Sequence, residues 1–152
     1  MAENSESPLC RCSCTATYHQ ILLSPLAEAP EITATANRLE SRLRDDRGTA
    51  GRELCFYTAA EAKITLRSRN IGTALELIAG FTVGEDLCAA ARRHELVFTP
   101  TGFSGSRRSL VFPAACLLPE FLYLPHAERD HEIRLTFLAF PDAAGRLFLL
   151  RA

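Results

Sequence analysis

No run in this sequence approaches the ~20 consecutive apolar residues that a membrane-crossing helix needs, which removes that class of membrane protein. Lysine is almost missing. Lys63 stands alone against sixteen arginines, a bias that a GC-rich coding sequence produces without any functional demand. Neither sign of charge is in excess: 17 basic and 18 acidic residues leave a formal net charge of −1. No global field therefore draws the chain to nucleic acid or to an anionic membrane surface. A Gly-rich phosphate loop and an HExxH pair are also missing. The opening residues 1–8 are acidic and lack the apolar core of a signal peptide, so a cytoplasmic location is expected. Thiols are reduced there, and the six cysteines predict no disulfide framework.

What is present reads as one mainly β domain. The 152 residues are 47% hydrophobic and 23% charged, ordinary for a globular chain with a real core. Residues 1–14 read as a disordered N-terminal arm and 15–152 as a single β-rich domain. Strand patterns fall at 17–23, 53–58, 62–67, 94–99, 109–115 and 120–124, followed by a final hairpin over 131–151. Residues 73–79 fit a short strand or a helical turn ended by Gly80. Residues 84–93 predict a short helix, with acids in the first turn, arginines in the last and alanines between. Residues 31–44 are ambiguous. Ile32, Ala36, Leu39 and Leu43 make a helical stripe, while Ile32–Ala36 alternates and is rich in strand formers. The sum is a sandwich or barrel of about seven or eight strands, with one short helix at 84–93 and a possible second at 31–44.

The carboxyl end carries the strongest signal. Ile133, Leu135, Phe137 and Ala139 share one face of a strand, and Leu138 and Phe140 then make the other face apolar. The returning segment Leu147-Phe148-Leu149-Leu150 is apolar on both faces. Such a strand needs a cover: a second sheet, a helix, or another copy of the chain.

Side chains able to do chemistry are few. Cys10, Cys12 and Cys14 with His19 nearby could in principle hold zinc, but paired zinc cysteines normally sit two residues apart. Single-residue spacing fits reduced thiols in an arm. Cys55, Cys88 and Cys116 sit in apolar patterns as small hydrophobes. The segment 126–132 gathers two histidines and three acids, with the mixed charge of a solvated loop. Residues 102–106 imitate a nucleophile elbow, but Ser106 stands where glycine is required. Arg92-Arg93 and Arg107-Arg108 fit solvated or intersubunit ion pairs. No enzyme, cofactor or metal centre is expected. A small metal- or ligand-binding β-domain is the alternative in another class.

The stretch from His94 to Phe148 resembles the C-terminal part of tailed-phage tail tube proteins. The points of likeness are His94-Glu95-Leu96-Val97-Phe98, Arg108-Ser109-Leu110-Val111-Phe112-Pro113, and Ile133–Phe140 followed by the turn Pro141-Asp142…Gly145 and Arg146-Leu147-Phe148. The resemblance implies a structural virion protein that self-associates into rings, usually of six copies, around a channel that DNA traverses without sequence recognition. Its partners would be itself and other tail proteins, with no membrane. It would be assembled in the host cytoplasm into the virion. A tail terminator or head–tail connector, also a ring former, is the nearest alternative. Under this resemblance Asp45, Asp46 and Arg47 are candidates to reach an adjacent ring. Leu138, Phe140, Phe148 and Leu150 are candidates for the contact between copies.

Overall fold

The computed structural model describes residues 14–44, 50–100, 108–123 and 132–152, with backbone alone over 41–44 and 50–54. Eight strands form one antiparallel sheet: β1 (Cys14–Tyr18), β2 (Ile21–Leu22), β3 (Glu31–Arg44), β4 (Ala50–Ser68), β5 (His94–Pro100), β6 (Ser109–Tyr123), β7 (Ile133–Phe140) and β8 (Leu149–Arg151). The lateral order is β2-β1-β5-β6-β7-β4-β3, and β8 joins β6. The mainly β expectation holds.

The sheet curls on itself into a barrel-like wall. Tyr18 on β1 and Phe137 on β7 have β5 and β6 between them in the sheet, yet their ring centroids lie 4.9 Å apart. The seam is drawn together after β2. Leu26 bridges Ser68, the Ala27 amide donates to the Arg67 carbonyl at 2.8 Å, and the Arg69 amide donates to the Pro25 carbonyl at 2.7 Å. Inside sit Leu23, Ile64, Leu66, Leu96, Phe112, Ile133, Leu135 and Phe137, all essentially without solvent contact. Alternation brings side chains to this interior most plainly in β7, where Ile133, Leu135, Phe137 and Ala139 are buried and the residues between are not. The one buried polar side chain among the described residues, Ser68, donates to the Leu23 carbonyl and accepts from the Asn70 amide, so its burial leaves nothing unsatisfied.

The prolines of β6 mark its irregularities. Pro113 lies where the β5–β6 register shifts opposite Glu95, and Pro119 lies where the β6–β7 register shifts between Leu117 and Phe121. A residue without an N–H cannot serve an unbroken ladder, so it sits at bulges.

Several expectations change. The helix is not at 84–93 but at α1 (Ile71–Ala79). There Ile71, Ala74, Leu75 and Ile78 make the apolar stripe, with Ala74 and Ile78 fully buried against the barrel, and Gly80 ends it. Over 84–93 the acids serve turns. Glu85 accepts from the Thr82 amide at 2.7 Å and pairs with Arg92, and Asp86 accepts from the Cys88 amide at 3.0 Å. These local bonds compete with helix formation, and only a 3-10 turn at Ala90–Arg92 remains. Residues 31–44 are strand throughout, because the alternating Thr33 and Thr35 favour an extended ribbon and β4 supplies a partner for it. The segments 53–58 and 62–67 are one strand, β4, with a bulge at Thr58. The segments 109–115 and 120–124 likewise fuse into β6.

The final hairpin is replaced by a different arrangement. Both edges of β7 are occupied, by β6 and by β4, so the last strand cannot fold back on it. Instead β8 pairs with Ser109–Val111 of β6, on the edge that β7 occupies further along. The turn between them forms as expected. Asp142 accepts from the Ala144 and Arg146 amides, and Gly145 adopts φ 82°, the left-handed region open to glycine. Finally, Cys14 belongs to β1, paired with Pro100, and not to the arm.

Candidate assembly surface

The β3–β4 ribbon leaves the barrel. The register with β7 ends at Ala62, and beyond it β3 and β4 have only each other among the described residues. From Asn37 to Arg44 this two-stranded extension runs roughly 25 Å. Every residue whose side chain is described over 31–40 and 55–59 is exposed. Yet Leu39 and Phe56, directly opposite one another, are 57% and 54% exposed, and Tyr57, opposite Arg38, is 75% exposed. A two-stranded ribbon is marginal alone in water, and one carrying opposed apolar side chains is stabilised by a third surface.

At the base of the ribbon lies an open concavity of about 320 Å3 between Thr35–Asn37, Ala59–Glu61 and Phe140. Phe140 is half-buried, with the Arg93 guanidinium over its ring at 4.9 Å. Leu138, opposite Lys63 and Cys116, is also half-buried. Around β8, Phe148 and Leu150 are both more than half exposed, and the edge of Phe148 reaches Phe112 at 6.2 Å between centroids. Among the described residues, both keep more than half of their surface open to solvent. Arg151 and Glu95 form an ion pair at 2.9 Å beside them, exposed and worth little by itself. Asp45, Asp46 and Arg47 lie outside the described residues.

Leu39, read in the sequence as part of a helical stripe, and Phe56 and Tyr57, read within a strand, were not expected as exposed apolar surface. The signal was available in the apolar Cys55-Phe56-Tyr57 run, but only the pairing register shows that no third strand buries it. Phe121 and Leu122, about half exposed beside the β6 bulge, were missed for the same reason.

Of the metal candidates Cys10, Cys12, Cys14 and His19, only the last two fall within the described residues. Cys14 is half-buried in β1, and His19 stacks on His94 with centroids 3.8 Å apart. Among the described residues no group of three or more His, Cys, Asp or Glu side chains is placed to hold a metal, and no helix is long and apolar enough to cross a membrane. Of segment 126–132 only Glu132 is described, at 3.5 Å from Arg67, which also pairs with Glu28 at 3.1 Å. The segment 102–106 and Arg107 lie outside the described residues.

No family model and no curated protein matches the chain. Solved structures do. One chain of an extracellular contractile injection system, the PVC sheath-tube complex in its extended state, aligns at TM-score 0.59 and 11% identity over 99% of each chain. A second, the PVC sheath/tube terminator in the extended state, aligns at TM-score 0.57 and 10% identity, covering 91% of this chain and 93% of that one. A third, the anti-feeding prophage tube terminating cap, aligns at TM-score 0.56 and 12% identity over 93% and 89%. At such identities the likeness establishes a shared fold over nearly the whole chain.

Proposed function

We propose that this chain is a structural subunit of a phage-tail-like particle, which self-associates into rings as part of the tube or at its end. The observation that carries the reading is the β3–β4 ribbon, which has no further strand beside it past Ala62 among the described residues, with Leu39 opposite Phe56 in solvent. Its support is the fold, shared end to end with chains of a sheath-tube complex, a sheath/tube terminator and a tube cap. In the proposed ring, the ribbon lies against a neighbouring copy, and Phe148 and Leu150 meet a second apolar surface there. Closed rings also remove free strand edges, which otherwise invite uncontrolled association. Leu138, Phe140 and the segment 45–47 belong to the same proposal, as do a sixfold ring and passage of DNA through its lumen. The role is mechanical, with no catalytic step.

The terminator is the second reading, favoured because two of the three structures are terminating components. Negative-stain microscopy with sedimentation of the purified chain tests both. Stacked rings or tubes indicate a tube subunit, and single rings that do not stack indicate a terminator. A particle that stays at 16.7 kDa at high concentration overturns both.

A further inference from the structure

Away from the ribbon, a second feature gathers polar and basic side chains around one space. A cavity of about 110 Å3 lies where the β1–β2 turn, the start of β5, the 3-10 turn and the end of α1 meet. Its apolar wall is Leu77, Phe81 and Leu117. Its polar side is Tyr18, His19, Arg92 and His94. The volume admits about three or four waters, or one tetrahedral oxyanion.

Each polar group is fixed by the fold. His19 and Gln20 occupy the two central positions of the β1–β2 turn with φ 52° and 66°, where Asn-Gly is the usual solution. The His19 amide donates to the Glu95 carbonyl at 2.9 Å, which holds the imidazole on His94 with 3.8 Å between centroids and 31° between planes. Tyr18 stands edge-on to His94, its hydroxyl committed to the Ala115 and Arg92 carbonyls. The Arg92 guanidinium lies 4.5 Å over the Phe81 ring and pairs with Glu85.

The charge balance is one-sided. Three groups that are or can become cations line the cavity, and among the described residues no carboxylate does. Glu85 meets Arg92 without lining the cavity, and Glu95 is held by Arg151. Cys116 lies close enough to act on Tyr18 through space but does not line the cavity. Burial first, then His19 and Arg92, hold the His94 pKa below its ordinary value. A cationic ligand would meet Arg92. An anion would offset the repulsion of His94 by His19 and Arg92.

We propose that this cavity binds a small oxyanion, phosphate or a carboxylate, held between the His19 and His94 imidazoles and the Arg92 guanidinium. Binding favours the protonated form of His94, which the fold otherwise disfavours, and so strengthens as pH falls. The ring proposal and this one stand apart: loss of anion binding leaves assembly unaddressed, and a monomeric chain can still bind the anion.

The test follows the imidazole proton resonances of the full chain during titration with inorganic phosphate, with acetate, and with sodium chloride at matched ionic strength. Phosphate or acetate is expected to saturate and to raise the pKa of His94. Affinity for acetate, which keeps its charge in this range, should improve by up to about tenfold per pH unit below neutrality as one proton is taken up, until His94 is protonated. Phosphate acting alone assigns the site to free phosphate, and acetate acting equally assigns it to carboxylates. His94→Gln should abolish binding. The exposed His19→Gln, which retains the fold, should weaken it several-fold. Shifts that never saturate, shifts that chloride reproduces, or unchanged binding in His19→Gln overturn the proposal.

Discussion

The hydroxyl of Tyr18 donates to the carbonyl oxygen of Ala115 at 2.9 Å, tying β1 to the middle of β6 past the intervening β5. The Arg92 carbonyl at 3.1 Å is a second acceptor. One phenol therefore fastens β1, β6 and the 3-10 turn.

Tyr18→Phe should cost about 1 kcal/mol at neutral pH, lowering Tm by roughly 2–4 °C, because a buried carbonyl loses its donor. Burial pushes the Tyr18 pKa up to about 12 from 10.0. The fold thus favours the neutral phenol. Its contribution is complete below about pH 10 and is lost as pH rises towards 12. Urea denaturation across that window should show an alkaline loss in the wild type that Tyr18→Phe lacks.

His94 gives the opposite slope. Its pKa is held below the ordinary 6.5, by burial and then by His19 and Arg92, so the fold favours the neutral imidazole. Stability is complete above about pH 6.5 and falls as pH drops through the depressed value, since the unfolded chain binds the proton more readily. His94→Gln should flatten this slope in chemical denaturation below neutrality. An unchanged slope would place the acid sensitivity elsewhere.

Phe137 and Leu138 are adjacent but differ in what they meet. Phe137 is fully buried, whereas Leu138 retains solvent contact on the other face. Phe137→Asp should unfold the chain, because an unpaired buried carboxylate costs several kcal/mol. Leu138→Asp should leave the circular dichroism of the monomer intact and reduce association. Equal loss of folding in both would contradict the division.

The ribbon makes a similar separation. Leu39→Ser with Phe56→Ser should change monomer stability by less than about 0.5 kcal/mol per site, since both side chains are already in solvent. Sedimentation should show the larger species of the wild type lost in the double variant. Wild-type assembly in that variant would remove the ribbon from the contact.

The alternation in β7 and β5 and the Asp142–Gly145 turn were legible in the sequence because they depend on local period and local hydrogen bonds. The helix was misplaced by the same local logic. Glu85 and the arginines near it have the order that a helix dipole favours, but Glu85 meets Arg92 as an ion pair across a turn. Residues 71–79 looked indifferent until Ala74 and Ile78 found the barrel end. Leu39 was counted on a helical stripe, and only its pairing with Phe56 turned it into surface.

By itself the sequence determined that the chain is mainly β, that Ile133 to Ala139 face a core, and that the carboxyl end carries more apolar surface than one sheet face can hide. Those properties follow from the order of side chains along a pleated backbone. The tertiary structure decided which strand edges were already taken. With both sides of β7 filled, β8 went to β6, and β3 with β4 ran on past the barrel. Pairing between distant segments, which no local pattern encodes, therefore set which apolar side chains were buried and which remained for a partner.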